Sequence, residues 1–193
     1  EIDVILEGIH KFVSEDNRSL FLAALLSTAS DIVDTVGKHF AQPIKARDSK
    51  GNIKMTVYNK AVKDKTIDVY MLYREWLIKY KNLTKNDFPH ITMTGDFEQC
   101  LKMLPNNVKT VYADPPYTRD HYSRYYHVLE TLTLRDNPQI SMVMIHGSTH
   151  VSNGIYREKR HQSPFCIKSK ALGAFRKMFE LTSKSGRNLL LSY

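Results

Sequence analysis

Two cysteines in 193 residues, Cys100 and Cys166, with no Cys-x-x-Cys, supply neither a disulfide framework nor a zinc knuckle, and both read as ordinary thiols. No apolar run approaches the roughly 20 residues that span a bilayer, and the opening Glu-Ile-Asp lacks the basic segment of a secretory signal. A cytoplasmic location without a membrane partner is therefore expected. No Gly-x-x-x-x-Gly-Lys phosphate loop is present, and His127, Cys100 and Cys166 have no recognisable nucleophilic partners, so hydrolase and nucleotidase chemistry finds no support. His146 and His150 have the i, i+4 spacing of a metal pair, but Gly147 weakens a helix there and no carboxylate stands nearby in sequence. No metal site is expected. Internal repeats and low-complexity segments are absent as well.

Negative charge is in short supply. Twenty acidic residues face 28 Lys and Arg, a formal charge of +8, and the isoelectric point is near 9.4. Such a balance favours a polyanionic partner, because Lys and Arg displace counterions condensed on phosphates. Hydrophobic residues at 42% and charged residues at 25% are near the averages for globular proteins, and the length suits one globular unit with an appendage.

The first third reads as helix. Val4, Ile5, Ile9, Phe12 and Val13 fall at helical spacing, Ser14 and Asp16 offer caps, and an amphipathic run from Leu20 to Phe40 is closed by Pro43. Residues 44–65 then form a basic loop around Gly51-Asn52, with Lys45, Arg47, Lys50, Lys54, Lys60, Lys63 and Lys65 against only Asp48 and Asp64. It reads either as a solvated basic loop or as a DNA-contacting arm carried by Lys45, Arg47, Lys50 and Lys54. A third helix over about 66–82 carries Trp76, whose spacing fits core packing.

From residue 89 the pattern alternates. It predicts a strand at 90–94, a helix from Asp96 to Leu104, a strand from Val108 to Ala113 and a helix over 122–134. An irregular stretch runs to 165, followed by a helix from Lys168 to Leu181 and a strand from Asn188 to Tyr193. This order implies an α/β fold with a parallel, doubly wound sheet. The expected division is a mainly helical region, 1–88, and an α/β portion, 89–193. Because the chain stops inside its last strand, it is expected to be partial.

The rarest local signal is Asp114-Pro115-Pro116-Tyr117 at the end of the strand Thr110–Ala113, which chance would place in on the order of one in a thousand chains this long. In open parallel sheets, ligands bind beyond the carboxyl ends of the strands. The prolines fix the backbone and remove two N–H donors, leaving carbonyl oxygens to act as acceptors. An exocyclic amine needs acceptors, since its lone pair is delocalised into the ring. The Asp114 carboxylate and the Pro115 carbonyl can each take one N–H and stabilise positive charge as a methyl group arrives. Tyr117 supplies a face on which an extruded base can stack, worth roughly 1–3 kcal/mol.

Asp-Pro-Pro-Tyr is similar to motif IV of amino-methyltransferases, and residues 89–193 resemble the D12 class of adenine-specific DNA methyltransferases. Thr94-Gly95-Asp96-Phe97 resembles the family's motif III. The resemblance implies S-adenosyl-L-methionine as cofactor, a Rossmann-like sheet, and Asp96, Phe97 and Asp114 as cofactor-binding residues. The stretch from Thr118 to Glu130 resembles the segment after motif IV in one branch of the class, and Tyr122, Arg124 and Tyr125 are candidates for DNA contact. Tyr156 to Phe165 resembles a second signature loop of that branch, with Arg157, Arg160 and His161 suited to phosphate or base-edge contacts. Leu189-Leu-Leu-Ser-Tyr resembles the strand of motif VI.

The class also carries a Phe-x-Gly-x-Gly motif near its N-terminus, and none of the eight glycines here forms Gly-x-Gly. That half of the cofactor site is therefore expected upstream of Glu1, with residues 1–88 corresponding to the target-recognition segment and its flanks. The function implied is site-specific adenine-N6 methylation of double-stranded DNA, with a cognate restriction endonuclease as partner. Cytosine-N4 or an RNA base as acceptor, and a non-catalytic DNA-binding fragment, are the alternatives.

Overall fold

A computed structural model of the chain describes residues 1–33, 35, 39–41, 44–83, 88–116, 122–152 and 154–192. In chain order the elements are α1 (Ile2–Phe12), α2 (Glu15–Ile32), α3 (Met55–Lys65), α4 (Val69–Lys81), α5 (Phe97–Met103), β1 (Thr110–Ala113), α6 (Tyr122–Tyr125), α7 (His127–Leu134), β2 (Met142–Ile145), β3 (Ser148–Val151), α8 (Lys168–Lys184) and β4 (Asn188–Leu191). They fall into two compact units, Glu1–Lys85 with Arg124–Arg160, and Asn86–Ser123 with His161–Tyr193. These units do not follow the expected boundary at residue 88, because Arg124–Arg160 packs with the N-terminal helices.

In the first unit, helical periodicity brings Ile5, Leu6 and Ile9 of α1 onto one face. They meet Leu25 and Ala29 of α2, Val69 of α4 and Leu132 of α7 in a single core. Val4, expected on the apolar face of α1, is exposed because it lies about 100° from Ile5, off the buried stripe, and Phe12, though in register with Ile5 and Ile9, is exposed at the last residue of the helix. Helices α2 and α4 are also tied by polar bonds. Trp76 Nε1 donates to Asp31 Oδ2 at 2.7 Å, and the Ser27 and Tyr80 hydroxyls lie 2.7 Å apart. Burial pushes the Tyr73 phenol up to about 12.

Helix α2 ends at Ile32 instead of continuing to Phe40, with Val33 already extended. The β-branched Ile32, Val33, Thr35 and Val36, followed by Gly37, propagate a helix poorly. Pro43 lies outside the described residues. The expected basic loop 44–65 is loop only in its first half; its second half is α3, which buries no residue. In the first half, the Asp48 carboxylate accepts from the backbone N–H groups of Lys50 at 2.8 Å and Asn52 at 2.9 Å. Gly51 adopts φ +87, the left-handed conformation that this tight tip requires.

Residues 142–151, expected to be irregular, form the antiparallel hairpin β2–β3. Its two-residue loop is His146-Gly147, with φ of 50 and 80. Both values are positive, as a type I′ turn demands. A histidine in the first loop position hid this signal, because Asn and Asp are the usual residues there. The helix expected over 122–134 is interrupted at Tyr126 (φ −116, ψ 16), which separates α6 from α7.

The second unit is the α/β part. Strands β1 and β4 pair in parallel, Thr110 opposite Asn188 through Ala113 opposite Leu191. Phe165, Ala174 and Met178 form its buried core, with Phe97, Leu101, Phe175 and Leu189 packed around them. Residues 90–94, expected as a strand, have no strand pairing and are exposed. The parallel sheet therefore has two strands among the described residues. Among those residues, no helix is long and apolar enough to cross a membrane.

Candidate active site

Strand β1 ends at Ala113, whose carbonyl accepts from the Ser192 N–H at 2.9 Å just beyond β4. Asp114 follows directly and is exposed, Pro115 is buried and Pro116 half-buried. The parallel pairing thus delivers Asp114 to the carboxyl end of the sheet, where backbone groups leave the ladder and can face a ligand.

Beside it stands the N-terminus of α5. Asp96 is the N-cap, accepting from the Glu98 N–H at 2.8 Å through Oδ1. Phe97 begins the helix, and its ring lies 5.1 Å from that of Phe165. Phe165 in turn packs edge-on against Phe175 at 4.9 Å. A cleft of about 420 Å³ opens here, lined by Asp96, Phe97, Asp114, Pro115, His161 and Phe165 among others. All these residues belong to the second unit. The volume falls within the range of small-molecule sites.

The structure brings six expected residues, Asp96, Phe97, Asp114, Pro115, Pro116 and His161, to one cleft, the last of them expected at DNA. Tyr117 lies outside the described residues. Cys166, taken from sequence as an ordinary thiol, is buried with its Sγ 3.9 Å from the Pro116 carbonyl oxygen. Cys100 also lines the cleft. Its position one helical turn after Asp96 was the available signal.

The expected DNA contacts separate into three kinds. Lys45, Arg47, Lys50 and Lys54 are all exposed around the tip at Gly51, where Arg47 Nη1 also donates to the Gly51 carbonyl at 2.8 Å. Tyr122 is exposed, whereas the Tyr125 ring stacks on His39 at 4.2 Å. Arg124 and Arg160 both lie against the Tyr156 ring.

Arg157 requires a correction. It is 8% exposed, and both terminal nitrogens donate to the Asp136 carboxylate. A side chain buried and engaged by two hydrogen bonds to one acid is not displayed to a groove. Adjacent His127 is buried, with Nε2 3.4 Å from the Phe40 carbonyl oxygen. Its pKa is lowered chiefly by desolvation, with Arg160 and Arg157 lowering it further. His146 sits in the hairpin turn and His150 on β3, opposite Val143, so their i, i+4 spacing is not a helical one.

A carboxylate at the end of a parallel strand, beside an aromatic-lined cleft, stands at the place where open α/β sheets hold their ligands. The family model of D12 class N6 adenine-specific DNA methyltransferase matches residues 36–180, and the chain belongs to this family. It is 28% identical over 191 residues to modification methylase LlaI of Lactococcus lactis subsp. lactis, covering 99% of this chain and 25% of that protein. It is 28% identical over 112 residues to type II methyltransferase M.FokI of Planomicrobium okeanokoites, covering 58% of this chain and 15% of that protein. The chain therefore spans a quarter or less of these relatives' length. No solved structure matches it.

Proposed function

We propose that this chain contributes the acceptor half of a site that methylates adenine N6 in double-stranded DNA at specific sequences, with S-adenosyl-L-methionine as donor. One observation carries the reading: Asp114 and Pro115 stand at the carboxyl end of β1 on the same cleft as Asp96 and Phe97. Family membership and the names of the two relatives, a modification methylase and a type II methyltransferase, support it.

The residues present suit the cofactor's adenosine end. Phe97 and Phe165 give the cleft an aromatic wall for a purine, and Asp96 holds a carboxylate at its rim, with Oδ1 engaged by Glu98. When bound, S-adenosylmethionine supplies an electrophilic methyl group. The chain's own part is to hold the nucleophile. The Asp114 carboxylate and the Pro115 carbonyl accept the two N–H groups of the amine, localise its lone pair and stabilise the positive charge that develops on nitrogen. The surplus proton then leaves through Asp114 to water.

An adenine inside a duplex is out of reach, so extrusion is required, at a cost of a few kcal/mol that stacking and hydrogen bonding in the pocket offset. The exposed basic tip at residues 45–54 supports a polyanionic substrate. The test is transfer of a radiolabelled methyl group to duplex DNA by the full-length protein, followed by nucleoside analysis. N6-methyladenine is the expected product. N4-methylcytosine, methylated RNA alone, or undiminished transfer by Asp114→Ala would overturn the assignment.

A further inference from the structure

In the first unit, two guanidinium groups share one aromatic ring. The Cζ atoms of Arg160 and Arg124 lie 5.0 and 5.7 Å from the Tyr156 ring centroid. Arg124 is exposed and Arg160 half-buried. Arg160 Nη1 is buried and has no hydrogen-bond partner among the described residues. Among those residues neither arginine forms a salt bridge, whereas Arg157, three positions before Arg160, has Asp136 and Glu130.

This arrangement is costly for a protein to keep without a ligand. A buried guanidinium donor that lacks an acceptor forfeits its hydration, and two like charges on one ring repel. Burial and the charge of Arg124 both lower the pKa of Arg160, while Tyr156 acts in the opposite direction. The ring face offsets part of this cost by cation–π attraction, but it accepts no N–H bond in the guanidinium plane. An oxyanion with two free oxygens would offset the charge of the pair and accept from the nitrogens that half-buried Arg160 and exposed Arg124 leave accessible.

We propose that Arg124 and Arg160, held on Tyr156, form a binding site for one backbone phosphodiester of the substrate DNA. This rests on the reading that the substrate is DNA. A phosphodiester is favoured over a base edge because it carries a negative charge to set against two guanidiniums on one ring, whereas a base edge is neutral. The basic tip that carries Lys45, Arg47, Lys50 and Lys54 belongs to the same unit. Such a contact positions the duplex and carries no sequence information.

The experiment measures binding of a labelled duplex to the full-length protein over a series of salt concentrations, for the wild type and for Arg124→Gln, Arg160→Gln and the double variant. Loss of one phosphate contact lowers the slope of log affinity against log salt by about 0.9, alike for cognate and unrelated sequences. The same change is expected in the double variant, with S-adenosylmethionine affinity and the thermal midpoint kept. Arg160→Lys retains the charge and is expected to retain the slope, so the proposal stays testable if a glutamine variant fails to fold. Salt-dependent binding by the wild type with an unchanged slope in the double variant would overturn the phosphate site alone. A wild type that shows no salt-dependent DNA binding would overturn the DNA reading itself. Loss of cofactor affinity with an unchanged slope would assign the pair to the cofactor's carboxylate and overturn the proposal.

Discussion

Arg157 closes a two-pronged bond on Asp136, with Nη1 donating to Oδ1 at 2.8 Å and Nη2 to Oδ2. Nη1 also donates to Thr131 Oγ1 at 3.0 Å, and Nε lies 3.7 Å from Glu130 Oε2. Because Arg157 also bridges Ile140 through its backbone, one residue links α7, the segment that follows it and the strand-like segment after β3.

Replacing Arg157 with Met keeps much of the stem and removes the charge. The carboxylates of Asp136 and Glu130 lose their partner, and the thermal midpoint is expected to fall by about 5 °C in scanning calorimetry. The salt slope of DNA binding should stay the same. A reduced slope with an unchanged midpoint would return Arg157 to the DNA-contacting set.

His127 gives the first unit an acid-sensitive point. Its folded pKa lies below the ordinary value of 6.5, so the unfolded chain takes up the proton first as pH falls. Its stabilising contribution is full above about pH 6.5 and declines as pH falls from there toward the folded value. The thermal midpoint of His127→Phe should therefore depend less on pH across that window than that of the wild type. Equal pH dependence in the two proteins would exclude His127 as the source.

Asp114→Asn retains shape but turns one oxygen acceptor into a donor facing the amine. Methyl transfer is expected to slow by about 100- to 1000-fold, the scale on which removal of one preorganised electrostatic contact acts in other enzymes. Cofactor affinity, measured by calorimetry, should change far less than turnover. A proportionate loss of both would place Asp114 in cofactor binding instead.

Phe165→Ala removes the ring between Phe97 and Phe175. At 4% exposure the loss should cost about 3–5 kcal/mol of stability in denaturant unfolding. Phe165→Leu, which fills more of the space, should cost less. If cofactor affinity survives Phe165→Ala, the aromatic wall is not part of the cofactor site.

The tip at Gly51 projects charge without burying it. Lys50→Gln with Lys54→Gln should lower the salt slope of DNA binding by up to about 1.8, one phosphate for each side chain. The thermal midpoint should hardly move, because both side chains are exposed.

Local signals in the sequence were legible where one residue type has one physical meaning. The helical spacing of Ile5 and Ile9, the start of a helix at Asp96 and the short apolar run of β1 all matched what the backbone does to within a residue or two. The reading failed where the outcome depends on a partner distant in sequence. Residues 90–94 have strand composition and no strand to pair with, while His146-Gly147 closes a hairpin that composition alone did not mark. The basic residues of 55–65 lie on a helix, since charge does not distinguish an exposed helix from a loop.

By itself, the sequence determined the Asp-Pro-Pro-Tyr element, its place after a strand and the family resemblance, because these are properties of contiguous residues. Tertiary structure decided how each arginine is used. Arg157 and Arg160 are three residues apart with the same charge, yet one is folded onto Asp136 and the other lies on Tyr156 beside Arg124. Charge is written in the chain, but whether it is neutralised depends on which carboxylate folding brings within hydrogen-bond reach, and that distance is set by packing.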